Sequence, residues 1–193
     1  MDMPEQGLTD ELLKKTDVLI WWGHCRHDDI SDVLVEKIAR RVQEGMGLIF
    51  LHSAHLSKPF KRIVGASGQL CWGENGERER LWVCAPWHPI AKGLPAYIDL
   101  PKEEMYGEPF GIPEPETTVF TCWYQGGRVF RGGVTFRRGA GKIFYFQPGH
   151  ETFPTYYDPQ IQKVIVNAVR WAYNSEPLST TDCACVTPIE PIE

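Results

Sequence analysis

Two uninterrupted apolar runs joined by one amphipathic segment constrain this chain more than any other feature. Asp17-Val18-Leu19-Ile20-Trp21-Trp22 stops at Gly23, and Gly47-Leu48-Ile49-Phe50-Leu51 follows the segment closely. Apolar runs without polar alternation read as strands buried on both faces. Between them Ile30, Leu34, Ile38 and Val42 recur at helical spacing, with Ser31 placed to cap the helix and Gly45 to end it. Strand, helix and strand with loops this short make a βαβ unit, whose strands are parallel and whose crossover is right-handed. The spacing predicts an α/β fold.

The rest of the chain extends that pattern. A short helix is expected over Ser57–Val64, and strands over Arg80–Cys84 and Val119–Trp123. Arg128–Arg138 and Lys142–Gln147 read as a hairpin turned by Gly139-Ala140-Gly141. Asp158 and Pro159 open a last helix with Ile161, Val164, Ile165, Ala168 and Ala172 on one face. At 193 residues the chain reads as one domain over 1–174, followed by a disordered acidic tail over 175–193 rich in Ser, Thr, Pro and Glu.

That tail holds Glu176, Asp182, Glu190 and Glu193 without a basic residue, so of the net charge of −5 only −1 falls on the body. A nearly neutral body lacks the clustered basic face that nucleic acid requires. No apolar run approaches the ~20 residues of a membrane span, and Met1–Lys15 has neither signal-peptide nor transit character. These features predict a soluble, cytoplasmic protein. Cys25, Cys71, Cys84 and Cys122 follow no disulfide framework and are expected as buried thiols; Cys183 and Cys185 form a CxC in the tail.

The placement of the histidines carries the functional signal. His24 follows the first strand, His52 ends the second, His88 lies past the third and His150 past the last. Ligands of open parallel sheets bind beyond the carboxyl ends of the strands, so these loops are expected to converge on one crevice. His150 belongs there only if Lys142–Gln147 is the parallel strand of its hairpin. His24-Cys-Arg-His27 and His52-Ser-Ala-His55 share an HxxH spacing, which on one helical turn suits zinc or another first-row metal. Asp28, Asp29 or Glu151 could add a carboxylate; loop histidines that merely cap helices are the plainer alternative. Glu103-Glu104-Met105-Tyr106-Gly107-Glu108 is surface charge unless it folds over the crevice, where a glutamate becomes a general base. Neither GxGxxG nor GxxxxGK[ST] is present, so no nucleotide cofactor is expected, and Ser53 lacks the flanking glycines of a nucleophile elbow.

The segments DVLIWWGHCRHDDISD, EGMGLIFLHSAHLSKPFKRIVG, HPIAKGL, EEMYGEPF and GKIFYFQPGHETFPTYYDPQIQKVIVNAVRWA together resemble the ThuA (trehalose utilisation) family from about Leu8 to Trp171. The resemblance implies a class I glutamine amidotransferase-like, flavodoxin-like three-layer sandwich with a mostly parallel sheet. Amidotransferases of that fold place a Cys at the elbow and a later His-x-Glu pair. Here the elbow reads His52-Ser53-Ala54-His55 and His150 adjoins Glu151, so amidotransferase activity is not carried over. The resemblance also implies a first strand and helix that this chain lacks, leaving an apolar sheet edge, impaired function and a route to a homo-oligomer.

The expectation is therefore a carbohydrate-metabolism protein acting on trehalose-related or keto-disaccharides through a histidine-rich site, as an isomerase, lyase or hydrolase. The alternative is a non-catalytic sugar-binding or regulatory module on the same scaffold. His52, His150, Glu151 and Glu104 are the expected catalytic groups. Trp22, Tyr106, Glu108 and Tyr157 are the expected substrate contacts. His24, His27 and His55 are the expected ligands of a divalent metal, zinc or manganese, and the partner is a small-molecule sugar with neither nucleic acid nor membrane.

Overall fold

The computed structural model describes residues 4–176 and 189–191. The expected acidic tail, with Cys183 and Cys185, falls largely outside them. After a short 3₁₀ turn and helix α1 (Asp10–Lys15), the predicted βαβ unit forms as β1 (Val18–Trp22), α2 (Asp32–Glu44) and β2 (Gly47–Leu51). The Ser31 hydroxyl accepts from Leu34 N, and Gly45 ends the helix at φ 124°, where a side chain is strained. Helix α3 (Lys58–Phe60) and a π turn over Lys61–Gly65 occupy the expected Ser57–Val64 helix.

Next come β3 (Cys71–Val83), β4 (Tyr97–Gly107), β5 (Thr117–Tyr124), β6 (Val129–Arg138) and β7 (Gly141–Phe146). Helix α4 (Pro159–Ala172) closes the domain, its first turn capped by Asp158 Oδ1 through Gln160 N and Ile161 N. Residues 189–191 form no helix or strand.

The seven strands make one sheet in the order β1-β2-β7-β6-β5-β3-β4. β1, β2 and β7 are mutually parallel in that order, whereas β6, β5, β3 and β4 alternate in direction. Helices α2 and α4 both pack on the parallel part. Every residue of β2 is buried, the reason its sequence shows no alternation. Gly47 permits a close approach of α4, because a Cβ there would stand 2.6 Å from the Ala172 carbonyl oxygen. Strand β1 is an outer strand, paired only with β2 among the described residues.

This strand order settles which loops share a rim. β7 is the parallel arm of the hairpin, so His150 joins His24 and His52 beyond the carboxyl ends of β7, β1 and β2. β3 runs opposite to them, which corrects the expectation for His88. The carboxyl end of β3 lies on the far rim, and there the His88 Nδ1 caps a 3₁₀ turn by accepting from Ile90 N. By the same logic β3 delivers its amino end, and β4 its carboxyl end, to the histidine rim. The cysteine expectation is corrected in part: Cys122 is buried, but Cys25 in its loop and Cys84 at the end of β3 are exposed.

Candidate functional site

The chain leaves β2 through a sharp turn at His52, whose φ of 53° is left-handed. A residue with a Cβ pays on the order of 1–3 kcal/mol for such a backbone, which persists where its surroundings over-determine it. The turn leads into a 3₁₀ helix over His52–Leu56, which brings two imidazoles, His52 and His55, and the Ser53 hydroxyl to the rim.

Hydrogen bonds fix which nitrogen of each ring carries a proton. His52 is fully buried, and its Nδ1 lies 2.9 Å from the Gln147 carbonyl oxygen. A carbonyl only accepts, so Nδ1 is the donor. Its Nε2 then faces Glu104 Oε2 at 2.9 Å, with the Tyr106 hydroxyl at 3.4 Å and the Tyr106 ring stacked at 5.2 Å. Two lone pairs at 2.9 Å repel unless a cation lies between them, either a second proton or a metal.

His24 Nδ1 is 3.2 Å from Ser53 Oγ and 3.3 Å from Glu151 Oε2. The single Ser53 proton goes to the Gly23 carbonyl at 2.8 Å, so His24 Nδ1 donates and its Nε2 is bare. His55 Nδ1 donates to the Gly68 carbonyl at 2.6 Å, and burial lowers its pKa to about 4, which keeps the ring neutral. His150 is the reverse case. Its Nδ1 accepts from Thr152 N at 3.1 Å, which puts the proton on Nε2. That Nε2 is buried without a hydrogen-bond partner, 3.6 Å from Glu74 Oε1 and 3.8 Å from Glu151 Oε2.

One nitrogen from each of His24, His52 and His150 lies within 4.8 Å of the other two. The proton inventory divides this trio. His24 and His52 offer lone pairs and Glu104 offers a carboxylate, while His150 offers a proton. A pocket of about 310 Å³ opens over them, lined by His24, His55, Glu104 and Tyr106 with Gln69, Leu70, Trp72 and Glu74.

The loop bearing His150 is held from beneath by Glu103. This buried carboxylate accepts from Gly149 N at 3.0 Å, His150 N at 3.2 Å, Thr155 Oγ1 at 2.6 Å and Glu104 N at 2.9 Å. The solvated-surface reading of the Glu103–Glu108 segment therefore gives way to a buried one, since strand β4 carries Glu103, Glu104 and Tyr106 into the rim.

Of the residues singled out from sequence, His24, His52, His55, Glu104, Tyr106, His150 and Glu151 come together. Four do not join them. His27 borders a separate cavity beside β1, where burial and Lys61 lower its pKa. Trp22 lines that cavity too and donates from Nε1 to the Gly149 carbonyl at 3.2 Å, bracing the histidine loop rather than facing the pocket. Glu108 is held in a two-pronged ion pair with Arg131, at 2.8 and 3.0 Å. Tyr157 is 82% exposed and lines none of the pocket. Sequence reasoning missed Trp72, Glu74 and Gln69, which reach the pocket only because β3 runs antiparallel, and it missed Glu103 as the anchor of the loop.

Fold and site together define an α/β domain whose seven-stranded sheet carries a histidine at the turn after its second strand and a rim rich in imidazole. The chain belongs to the ThuA family, described as trehalose utilisation, whose model matches residues 2–172. Its fold is similar to that of a ThuA-like protein from Parabacteroides merdae, at 18% identity and a TM-score of 0.68 over 94% of this chain and 77% of that one. A ThuA-like protein from Bacteroides uniformis is similar at 19% identity and a TM-score of 0.63, over 84% and 71% of the two chains. A cytoplasmic protein of Salmonella typhimurium is similar at 15% identity and a TM-score of 0.60, over 86% and 75%. No curated protein matches the sequence. Among the described residues, no helix is long and apolar enough to cross a membrane.

Proposed function

We propose that this chain acts on trehalose-related keto-disaccharides, catalysing proton transfer next to the sugar carbonyl. The observation that carries the reading is the split among three clustered imidazoles: His24 and His52 commit their Nδ1–H to Ser53 and Gln147 and turn Nε2 to the site, whereas His150 accepts at Nδ1 and carries its proton at Nε2. His52 and Glu104, 2.9 Å apart, are an imidazole and a carboxylate of the kind that hold zinc or manganese, and His24 offers a further nitrogen within 4.8 Å of one on His52. A divalent cation held there would polarise the substrate carbonyl. The His52–Glu104 approach, which needs a cation between its lone pairs, supports that donor set.

His150 Nε2–H points toward the pocket carboxylates and is placed to donate to a carbonyl oxygen. Glu74 lines the pocket and takes the part of the base. It removes the hydrogen from the carbon beside the carbonyl, the C–H pair becomes a C=C bond, and the oxygen gains the His150 proton. The resulting enediol is common to isomerisation and elimination. The family description, trehalose utilisation, supports the sugar class.

The test measures solvent deuterium incorporation beside the carbonyl of a keto-trehalose by NMR, together with metal content. Incorporation is expected in the wild type, with a loss of at least a hundredfold in His150→Ala, the usual scale of a removed acid or base. Bound zinc or manganese is expected to be lost in a His24→Ala/His52→Ala double variant and retained in His150→Ala. Sugar binding without exchange would replace this reading by a sugar-binding module, and metal lost in His150→Ala would overturn the division of roles.

A further inference from the structure

His52 and Glu104 meet at 2.9 Å although they come from separate segments, the turn after β2 and strand β4. Gln147 takes no part in the proton chemistry, yet it holds both. It lies just past β7 and is fully buried. Its backbone carbonyl accepts from His52 Nδ1 at 2.9 Å, and its side-chain Nε2 donates to the Glu104 carbonyl oxygen at 3.0 Å. Its own N–H donates to the Gly132 carbonyl of β6 at 2.8 Å. Since Glu104 N is already bound to Glu103, the main chain of Glu104 is fixed on both sides.

The amide works in one orientation. A carbonyl oxygen only accepts, so the NH₂ must face Glu104, and Oε1 then needs a donor. Cys122 of β5 supplies it, with Sγ 3.6 Å from Oε1. The thiol is fully buried, and burial with Glu79 nearby pushes its pKa well above the ordinary value, so it keeps the proton that it donates. Both carboxyl oxygens of Glu79 stand without a hydrogen-bond partner, which leaves that proton to the amide. Gly132 makes the room, because a Cβ there would overlap the Cys122 sulfur. A flipped amide would lose both bonds and set its oxygen against the Glu104 carbonyl.

We infer that Gln147 is the positioning residue of the His52–Glu104 pair, and that the Cys122 thiol acts through it by fixing which end of the amide faces Glu104. The metal reading proposed above supplies one readout of this role. The geometry of the pair and the state of the thiol supply two others that do not rest on that reading.

Zinc titration by calorimetry, crystal structures of the metal-free protein and infrared spectra of the S–H band test it on the full chain, with circular dichroism to check that each variant folds. Gln147→Met keeps the length of the side chain and loses the amide. It is expected to weaken zinc about 10- to 100-fold, the scale of an outer-shell partner, and to lengthen the 2.9 Å separation of the pair by at least about 0.5 Å. Cys122→Ala is expected to move both readouts the same way by less, and Cys122→Ser, which keeps a donor, to restore them. The S–H band that Cys122→Ala removes is expected at its hydrogen-bonded position in the wild type and at the free-thiol position in Gln147→Met. Asn167→Leu removes a buried amide that donates to the Ile90 and Lys92 carbonyls, away from the pocket, and is expected to change neither zinc affinity nor the pair.

Unchanged affinity and separation in Gln147→Met overturn the positioning role, and an equal loss in Asn167→Leu overturns it in favour of a general loosening of the core. Cys122→Ser as damaging as Cys122→Ala overturns the part of the thiol. Wild type that binds no zinc overturns the metal reading, and the pair separation with the S–H band then decides the role of Gln147 alone. If Gln147→Met does not fold, Cys122→Ala with wild-type affinity and separation overturns the inference.

Discussion

A carboxylate that accepts four hydrogen bonds has no spare lone pair to do chemistry with, and Glu103 is in that position. Its partners are the backbone of Gly149, His150 and Glu104 and the hydroxyl of Thr155, so its work is to hold the His150 loop against β4. An amide at the same place offers one accepting oxygen and turns its NH₂ toward N–H donors. Glu103→Gln is therefore expected to cost on the order of 2 kcal/mol in urea unfolding and to lower turnover through misplaced His150. The metal proposed at His24, His52 and Glu104 is expected to stay near wild-type stoichiometry. Metal loss equal to the activity loss would show that the anchor serves Glu104 instead. Thr155→Val removes one donor only and is expected to be the milder change.

The histidine loop is also shaped by the turn that precedes it. Gly149 has φ 134°, and a Cβ there would stand 2.0 Å from the Tyr156 hydroxyl oxygen. Gly149→Ala is thus expected to displace the loop and lower turnover at least tenfold, the scale of a small misplacement of a reacting group. Tyr156 is half-buried with a buried, unpartnered hydroxyl, so Tyr156→Phe alone should be nearly silent. Combined with Gly149→Ala it should restore little of the activity, since the ring carbons Cζ and Cε1 would still stand 2.2 and 2.7 Å from the new Cβ. Substantial rescue in steady-state assays would mean that the hydroxyl alone displaces the loop.

At this scale the legible and illegible parts of the sequence separate for a physical reason. The βαβ unit is legible because β1 and β2 lack alternation and α2 repeats at helical spacing, but burial on both faces holds for β2 alone: β1 is an outer strand that leaves Ile20 and Trp22 exposed. His24, His52 and His150 are legible as rim residues once β7 is read as parallel. The β3–β4 arm is not legible in the same way. Gly73, Asn75 and Gly76 are of residue types depleted in strands yet lie within β3, and Glu79 and Glu103 are charged residues in fully buried positions. Only the tertiary fold satisfies Glu103, and pattern reasoning prices each residue before its partners are known. Trp72 and Glu74 were hidden with them, because strand direction, not spacing, puts them at the pocket.

Taken over the whole molecule, two buried groups make stability depend on pH in opposite senses. Burial, with Glu103 nearby, raises the Glu79 pKa in the folded state, so the native protein holds this proton more tightly than the unfolded chain. Its contribution is fully present below the unfolded value of 4.5 and is lost as pH rises through the folded value. His55 works the other way. Burial lowers its pKa from 6.5 to about 4, so between those values the unfolded chain takes up a proton that the native state refuses. Stability held above pH 6.5 is therefore lost progressively as pH falls toward 4. A shift of that size corresponds to about 3 kcal/mol for this nearly inaccessible ring. His55→Gln removes the proton site, whatever the substitution costs at neutral pH. Urea unfolding free energies of wild type and variant, measured from pH 7 to pH 4, should converge by about 3 kcal/mol in favour of the variant. A gap that stays constant across that range would mean that the ring is protonated in the native state as readily as in the unfolded one, and that the Gly68 carbonyl bond compensates for its burial.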